Sequence, residues 1–200
     1  MSERWLAERR RDYYYKKAKD MDYRSRASFK LKQIDERFHI LRRGAKVVDL
    51  GAAPGGWLQV ARESVGPAGK VVGLDLQSIE PIEGVSTIRG DIREEQTVQE
   101  LLSLIGGKAD VVLSDMSPNI SGNYSTDHAR SVELCSHGLV FATKVLKKGG
   151  SMVMKIFQGD LMNEFVSEVR RYFGEVRLHG PKASRSSSSE IYIIARDFSG

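Results

Sequence analysis

One segment, KVVDLGAAPGGW at residues 46–57, constrains the fold more than any other part of the chain. A short β-branched run ends in an acid, passes through a turn of glycine, alanine and proline, and leads into a helix-like stretch that begins near Leu58. Small residues allow the backbone to approach a ligand closely, and a helix N-terminus presents free N–H groups. The segment therefore predicts a strand–turn–helix unit that binds a nucleotide-like ligand, although strand-to-helix turns without a ligand look similar.

The glycine spacing in this turn separates two classes of ligand. Ala53 stands where the second glycine of the G-x-G-x-x-G dinucleotide fingerprint would be, so a pyrophosphate would fit the turn poorly. A nucleoside that carries a small cationic amino-acid tail would fit better. The turn therefore favours S-adenosylmethionine as the cofactor, and a nicotinamide-dependent dehydrogenase is the weaker alternative.

Strand-like and helix-like segments alternate along the rest of the chain. The apolar runs predict strands at 46–50, 70–75, 85–89, 110–114, 151–157, 175–179 and 190–196. Helix-like patterns cover 2–20, 26–39, 57–65, 94–105, 128–147 and 160–173. Such alternation is typical of an α/β fold whose mostly parallel sheet has helices on both faces. The loop between the last two strands predicts an antiparallel hairpin.

Basic residues are concentrated near the start of the chain. Residues 1–46 contain 15 Lys and Arg against 7 Asp and Glu, whereas the remaining residues contain 16 against 19. Four tyrosines lie among these charges, namely Tyr13, Tyr14, Tyr15 and Tyr23. Cations follow a phosphate backbone and aromatic rings stack on unpaired bases, so the pattern predicts an RNA-contacting surface. The alternative is a solvated basic helix whose tyrosines pack on the core.

Composition and cysteine content exclude several classes of protein. The 200 residues are 40% hydrophobic, contain no apolar run long enough to span a bilayer, and begin with a charged rather than signal-like stretch. Cys135 is the only cysteine, which indicates a reducing compartment, and four scattered histidines predict no metal site. We therefore predict a cytoplasmic, metal-free protein with one domain, in which residues 1–45 form the basic helical extension and residues 46–200 the catalytic α/β core.

Acidic residues follow several predicted strands, at the sheet edge where ligands bind in parallel α/β folds. Asp49, Asp75 and Asp115 each close or follow a hydrophobic strand, and Asp91 follows VSTIRG in the same way. Asp75 lies 24 residues after Gly51, close to the spacing at which an acid binds ribose hydroxyls in dinucleotide folds. We therefore predict that Asp75 contacts a ribose and Asp91 an adenine amine. Each acid taken singly could instead be a helix cap or a turn residue.

A lysine, Lys155, interrupts the apolar strand SMVMKIF near its carboxyl end, where burial of an unpaired ammonium would be costly. Glu190 opens the last strand, and an antiparallel direction would bring it to the edge at which the parallel strands end. Asp115, Lys155 and Glu190 then converge, and Lys30 supplies a second cation. A desolvated lysine beside another cation loses its proton more readily, which makes Lys155 a candidate general base. The alternative is a structural ion pair without chemistry.

The motifs DLGAAPGGW, SDMSPN, KIFQG, SRASFKL and SSSSEIYIIA together resemble the FtsJ/RrmJ family of RNA ribose 2′-O-methyltransferases, from about residue 11 to residue 196. The resemblance implies the Rossmann-like, S-adenosylmethionine-dependent methyltransferase fold, a seven-stranded mostly parallel sheet with an antiparallel last strand. It also implies a catalytic tetrad of Lys30, Asp115, Lys155 and Glu190. The implied S-adenosylmethionine contacts are Gly51, Gly55, Trp57, Asp75, Asp91 and Asp115.

Two sets of motifs bear on the substrate. GAAPGGW and KIFQG are similar to the branch of this family that methylates a uridine of large-subunit ribosomal RNA. DYYYKKAKDMDYRSR is closer to the branch that acts on tRNA and precursor rRNA, and SDMSPN has serine where bacterial rRNA enzymes typically have alanine. The resemblance predicts an rRNA methyltransferase whose partner is RNA in an assembled or assembling subunit, with no membrane, metal or obligate protein partner. The alternatives are a tRNA ribose methyltransferase, a base amino-methyltransferase and a non-catalytic RNA-binding assembly factor.

Overall fold

The computed structural model describes residues 13–184 and 188–200. The strands are β1 (Lys46–Leu50), β2 (Lys70–Asp75), β3 (Ser86–Arg89), β4 (Ala109–Ser114), β5 (Leu146–Phe157), β6 (Phe173–His179) and β7 (Glu190–Phe198). The helices are α1 (13–20), α2 (Ser28–Phe38), α3 (Gly56–Val65), α4 (Glu95–Ile105), α5 (Tyr124–Val145) and α6 (Met162–Val169). Each predicted strand, and each helix predicted from residue 26 onward, is present in the structure, although some boundaries differ. The helix predicted over 2–20 lies partly outside the described residues.

The described strands form one seven-stranded sheet in the order β3-β2-β1-β4-β5-β7-β6. The five strands β3, β2, β1, β4 and β5 are parallel to one another, whereas β7 runs antiparallel to both β5 and β6. The predicted Rossmann-like fold with an antiparallel last strand is thereby confirmed. Because β7 runs in the opposite direction, its first residue lies at the edge where the parallel strands end.

Alternate residues of the strands enter two separate cores, one on each face of the sheet. Val48 of β1 and Met154 of β5 belong to the core that α4, α5 and α6 cover. Their neighbours Val47 and Val153 belong to the core covered by α2 and α3. Since the side chains of a strand alternate between its faces, a sheet buried on both sides needs nearly continuous apolar strands. The helices lie on both faces, as predicted.

Element boundaries near β5 differ from the predicted ones. Helix α5 begins at Tyr124 rather than at residue 128 because the Asn123 side chain caps it, accepting a hydrogen bond from the Thr126 N–H at 3.1 Å. Strand β5 begins at Leu146 rather than at residue 151, and its register against β4 shifts after Ala109. The glycine pair at 149–150 is typical of a turn. The sequence pattern therefore conceals the start of the strand, where Leu146 pairs with Ala109 of β4.

Candidate active site

Charged side chains from four parts of the chain meet at the sheet edge where the parallel strands end. Lys155 lies on β5, Glu190 is the first residue of β7, Lys30 lies on α2 and Asp115 directly follows β4. The antiparallel register pairs Lys155 with Tyr192, which lies two residues after Glu190 on the same strand face. The structure thus brings together all four residues of the predicted tetrad.

The ammonium group of Lys155 is buried against Asp115. Its Nζ donates a hydrogen bond to the Asp115 backbone carbonyl at 2.8 Å and lies 3.3 Å from the Asp115 Oδ1. Only 6% of the Lys155 side chain is exposed. An isolated buried ammonium would lose its hydration without compensation, and these two oxygens replace that hydration. The Lys155 amine is therefore held in one place by the residue that follows β4.

The second ion pair joins Lys30 and Glu190. The Lys30 Nζ lies 2.7 Å from the Glu190 Oε2, with side-chain exposures of 11% and 20%. Burial alone would raise the pKa of Glu190, but the charge and hydrogen bond of Lys30 and the charge of Lys155 outweigh it and lower that pKa. Glu190 is therefore an ionised acceptor, and it links the two lysines electrostatically.

Tyr192 completes the cluster and is absent from the residues predicted from the sequence. Its Oη donates a hydrogen bond to the Asp115 Oδ1 at 2.8 Å, and its ring is fully buried beside Trp57. Burial and the negative charges of Asp115 and Glu190 raise the pKa of Tyr192 well above its usual value, so the phenol stays a donor. The predicted strand EIYIIA could have identified Tyr192, because alternate side chains of a strand lie on one face and residue 192 therefore shares a face with Glu190.

Helix α5 contacts the end of β5 from the opposite face of the sheet. The Ser131 Oγ accepts a hydrogen bond from the Phe157 N–H at 3.0 Å, and the Cys135 thiol donates to the Lys155 carbonyl at 3.1 Å. The His128 Nδ1 lies 3.1 Å from the Phe157 carbonyl. Burial raises the pKa of the Cys135 thiol to about 12, so this cysteine is a structural donor and not a nucleophile. Three buried side chains thus fix the backbone that carries Lys155.

A cavity of about 720 Å³ opens along the same edge of the sheet. Residues that follow four parallel strands line it, including Gly51, Ala53, Asp75, Gln77, Asp91, Arg93, Asp115 and Met116. Gly51 has a φ of +68°, and a Cβ atom there would lie 2.7 Å from the Met116 Cγ, so the site requires glycine. Asp115 belongs both to the cavity wall and to the charged cluster. A ligand in the cavity would therefore lie next to Lys155.

Asp75 and Asp91 are the two other acids predicted to bind the cofactor. Both line the cavity, and both also form hydrogen bonds with other groups of the protein. The Asp75 oxygens accept hydrogen bonds from the N–H groups of Ala53 and Gln77 at 2.9 and 2.8 Å. Asp91 binds the Arg93 guanidinium, whose hydrogen bonds lower the pKa of Asp91 to about 2. Asp75 therefore shapes the glycine-rich turn, and Asp91 is paired with Arg93 at the cavity wall, so contact of either acid with a cofactor stays a prediction.

Asp49 is a buried acid close to this site. The sequence analysis placed it at the end of a strand and assigned it no role. No described group donates a hydrogen bond to either of its carboxylate oxygens, and its side chain is almost completely buried. Burial and the charges of Asp115 and Asp75 raise the pKa of Asp49 well above its usual value. The charged acids beside it, Asp75 and Asp115, line the cavity and would favour a cationic ligand there.

Two predicted cofactor contacts, Gly55 and Trp57, are not among the described residues that line the cavity. Trp57 is buried, and its Nε1 donates a hydrogen bond to the Ala27 carbonyl at 2.8 Å. Gly55 has a φ of +113°, and a Cβ atom there would lie 3.1 Å from the Arg24 Nη1. Both residues thus contact the segment that precedes α2, and their contact with a cofactor stays a prediction.

The tyrosines near the N-terminus divide between surface and core. Tyr13 and Tyr15 are exposed, and the Lys19 Nζ lies 4.9 Å from the ring centroid of Tyr15. Tyr23 is buried in the core instead. Exposed rings beside lysines suit unpaired bases and phosphates, and the role of α1 in RNA contact stays a prediction. Residues 1–12 of that surface lie outside the described residues.

Within residues 13–184 and 188–200, no group of three or more His, Cys, Asp or Glu side chains is arranged to hold a metal ion. None of the helices in the same ranges combines the length and apolar character required to cross a membrane.

Known proteins resemble this chain in sequence and in structure. The profile of a family described as FtsJ-like methyltransferase matches residues 23–198, a range that includes the whole charged cluster. The ribosomal RNA large subunit methyltransferase E of Methanosarcina barkeri is 58% identical over 194 residues, which cover 96% of this chain and 73% of that protein. The protein of the same name from Methanocaldococcus jannaschii is 48% identical over 202 residues, covering 98% of this chain and 82% of that protein.

A solved structure extends the likeness to the fold. The crystal structure of a Plasmodium falciparum protein, described as a candidate ribosomal RNA methyltransferase, aligns with a TM-score of 0.80 at 29% sequence identity. The alignment covers 89% of this chain and 100% of that chain.

Proposed function

The chain belongs to the FtsJ-like methyltransferase family, and on that premise we propose that it transfers a methyl group from S-adenosylmethionine to a ribose 2′-hydroxyl of large-subunit ribosomal RNA, at a uridine. The names of the curated relatives support the choice of ribosomal RNA. The observation that carries the proposal is the position of Asp115, which lines the cavity and also contacts Lys155. Asp115 would therefore contact both a methyl donor in the cavity and the proton acceptor in the cluster.

The size and the charge of the cavity support the proposal of S-adenosylmethionine as its ligand. Its volume of about 720 Å³ lies within the usual range for ligand pockets, and its acidic wall suits a ligand that carries two cationic groups. We assign Asp75 to the ribose hydroxyls, since carboxylate oxygens retain lone pairs beyond their backbone contacts. Asp91 would bind the adenine amine, and Gly51 with Asp115 the methionine portion. When bound, the cofactor supplies an electrophilic methyl group that moves from sulfur to oxygen.

The charged cluster would handle the proton of the ribose hydroxyl. We propose Lys155 as the general base, with its neutral amine accepting the 2′-hydroxyl proton at Nζ as the oxygen attacks. Charge repulsion from a cationic methyl donor favours the neutral form of a lysine amine. Asp115 orients Lys155 through its two contacts at 2.8 and 3.3 Å. Lys30 and Glu190 would position the ribose and balance the charge.

The remaining assignments concern the partner and the setting. We propose that α1, with Tyr13, Tyr15 and Lys19 on its surface, binds the RNA substrate together with the basic residues that precede it. We also propose one domain, with residues 1–45 as the RNA-contacting extension and residues 46–200 as the catalytic core, acting in the cytoplasm on an assembled or assembling subunit.

Incubation with radiolabelled S-adenosylmethionine tests the proposal, using large ribosomal subunits or bulk tRNA from a strain that lacks the enzyme. Alkali does not cleave next to a 2′-O-methylated ribose, so label in alkali-resistant dinucleotides reports ribose methylation. We expect this label in large-subunit RNA, for the wild type and for the control Lys144→Ala, because Lys144 pairs with Glu95 outside the cluster. Label in tRNA alone would overturn the rRNA assignment, and label in mononucleotides alone would overturn ribose methylation.

A further inference from the structure

Residues 22–28, which we call the strap, run from the end of α1 to the first residue of α2 and form hydrogen bonds with the glycine-rich turn and with α3. The Trp57 Nε1 donates a hydrogen bond to the Ala27 carbonyl at 2.8 Å. The Ser28 Oγ donates to the Gly56 carbonyl at 3.0 Å, and that contact is buried. The strap therefore lies directly on the turn that forms one wall of the cavity.

Arg24, in the strap, forms hydrogen bonds with α3 and with two loops. Its backbone N–H donates to the Gln59 Oε1 at 2.9 Å. Its guanidinium donates to three backbone carbonyls, those of Pro54 at 3.1 Å, Glu80 at 2.6 Å and Pro81 at 2.8 Å. A planar guanidinium presents several N–H donors in a fixed fork, which suits simultaneous contact with two loops. Arg24 thus joins the turn after β1 to the loop between β2 and β3.

Both of these loops contribute to the cavity wall. Ala53, directly before Pro54, and Gln77, three residues before Glu80, line the cavity. Their N–H groups bind the two oxygens of Asp75, the acid assigned to the cofactor ribose. A displacement of either loop would therefore move Asp75 or the backbone around it.

The neighbouring arginine of the strap makes a different contact. The Arg26 Nη2 donates to the Ala183 carbonyl at 2.8 Å, in the segment between β6 and β7. Arg24 and Arg26 have the same charge and lie two residues apart, but their described hydrogen bonds differ, since those of Arg24 reach the cavity loops and that of Arg26 reaches the segment after β6. The basic charge of this segment therefore serves more than one purpose.

We propose that Arg24 is a positioning residue for cofactor binding, although it lies within the basic segment assigned to RNA. Its guanidinium holds the turn after β1 and the β2–β3 loop at the separation that the cofactor requires. Loss of Arg24 lowers the affinity for the cofactor, while the chemical step at Lys155 keeps its rate once both substrates are bound. The inference rests on the proposed function, because it takes the ligand of the cavity to be S-adenosylmethionine.

Calorimetric titration with S-adenosylhomocysteine, without RNA, measures the cofactor affinity of the wild type, Arg24→Ala, Arg24→Lys and Arg26→Ala. We expect Arg24→Ala to raise the dissociation constant about tenfold, as misplaced binding groups do. Arg24→Lys recovers little of this loss, because one ammonium lacks the fork that spans both loops. Arg26→Ala binds S-adenosylhomocysteine as the wild type does. Should Arg24→Ala fail to fold, Arg24→Gln gives the same comparison with one amide donor retained.

Steady-state kinetics supply a readout that a general loss of structure would not reproduce. For Arg24→Ala we expect a higher KM for S-adenosylmethionine with kcat and the KM for RNA close to wild type. Wild-type cofactor affinity in Arg24→Ala, or a loss confined to the KM for RNA, would overturn the positioning role and leave the proposed function intact. Failure of the wild type itself to bind S-adenosylhomocysteine would overturn the proposed function and this inference with it.

Discussion

Two lysines meet in the same cluster but are held by different parts of the fold. Lys155 lies within β5, which pairs with β4 on one side and β7 on the other, and α5 binds its backbone from the opposite face. Lys30 lies on α2, a helix that follows the strap and packs beside α3. The position of Lys155 is therefore part of the sheet itself, whereas that of Lys30 depends on how a peripheral helix is attached.

This difference corresponds to the two proposed roles. A general base has to meet a proton within hydrogen-bond reach, so its position tolerates little change. A residue that balances charge acts through Coulomb forces, which vary gradually with distance. The fold places the proposed base on a strand that is paired on both sides and the proposed counter-charge on a helix outside the sheet. Substitutions at the two lysines should therefore differ in severity.

Replacement of Lys155 should have the largest effect. Lys155→Ala removes the proposed proton acceptor, and we expect methyl transfer to fall by about 10³-fold, within the usual range for a lost general base. Calorimetry should show an almost unchanged affinity for S-adenosylhomocysteine, because the cavity wall stays in place. Turnover at the wild-type level would remove Lys155 from the mechanism.

Lys30→Ala should have a smaller effect on catalysis and a measurable effect on stability. We expect a rate loss of about 10- to 100-fold, less than at Lys155, since position is less demanding here. The free energy of unfolding should fall by about 1.5–3 kcal/mol at neutral pH, as for a lost charged hydrogen bond.

The pH dependence identifies the source of that stability. The pKa of Glu190 is lowered in the folded protein, so the pair stabilises the fold above the unfolded pKa of about 4.3 and loses its effect as the pH falls through the folded value. Denaturant unfolding should show the difference between wild type and Lys30→Ala shrinking below about pH 4. A difference that does not depend on pH would assign the loss to packing.

Ser131→Ala tests whether α5 fixes the strand that carries Lys155. The change leaves the buried Phe157 N–H without its acceptor, which should cost about 1–3 kcal/mol in urea unfolding and slow methyl transfer. Ser136→Ala on the same helix is the control, because the Ser136 hydroxyl binds only a carbonyl of its own helix among the described contacts. Equal effects of the two substitutions would show that the contact with β5 has no special importance.

Asp49→Asn extends the comparison to the acids. Asp115 has Lys155 and Tyr192 as partners, whereas no described group bonds to the side chain of Asp49. Because the pKa of Asp49 is raised in the folded protein, this acid lowers stability as the pH rises above its unfolded value of about 4. Asparagine removes that cost, so thermal unfolding of the cofactor-free protein should show that the stability of Asp49→Asn relative to the wild type rises from pH 4 to pH 7. A relative stability that does not change with pH would contradict this prediction.

The sequence was sufficient to predict the sheet and the convergence of the tetrad for a simple reason. Apolar strand patterns are local, and the ends of parallel strands necessarily meet at one edge. The antiparallel direction of β7 followed from a connection without a helix, and that direction brought Glu190 to the same edge. The roles of the tetrad residues remain predictions that the substitutions above test.

The contacts that hold the site in place could not be predicted from the sequence in this way. Ser131 and Phe157 are 26 residues apart, and Arg24 and Pro81 are 57 residues apart. No local pattern records which carbonyl a hydroxyl or a guanidinium reaches across such separations. For the same reason the sequence analysis predicted an RNA surface, or a solvated basic helix, for the basic segment and gave no role to Arg24, which contacts the cavity loops.

The most direct test of the account is the single-turnover rate of methyl transfer for Lys155→Arg and Lys30→Arg, with the same RNA and saturating S-adenosylmethionine. Arginine keeps the positive charge but cannot release its proton in a protein. We predict that Lys30→Arg retains a rate within about tenfold of the wild type, while Lys155→Arg is as slow as Lys155→Ala. A Lys155→Arg variant that transfers methyl groups at close to the wild-type rate would contradict the assignment of Lys155 as the general base.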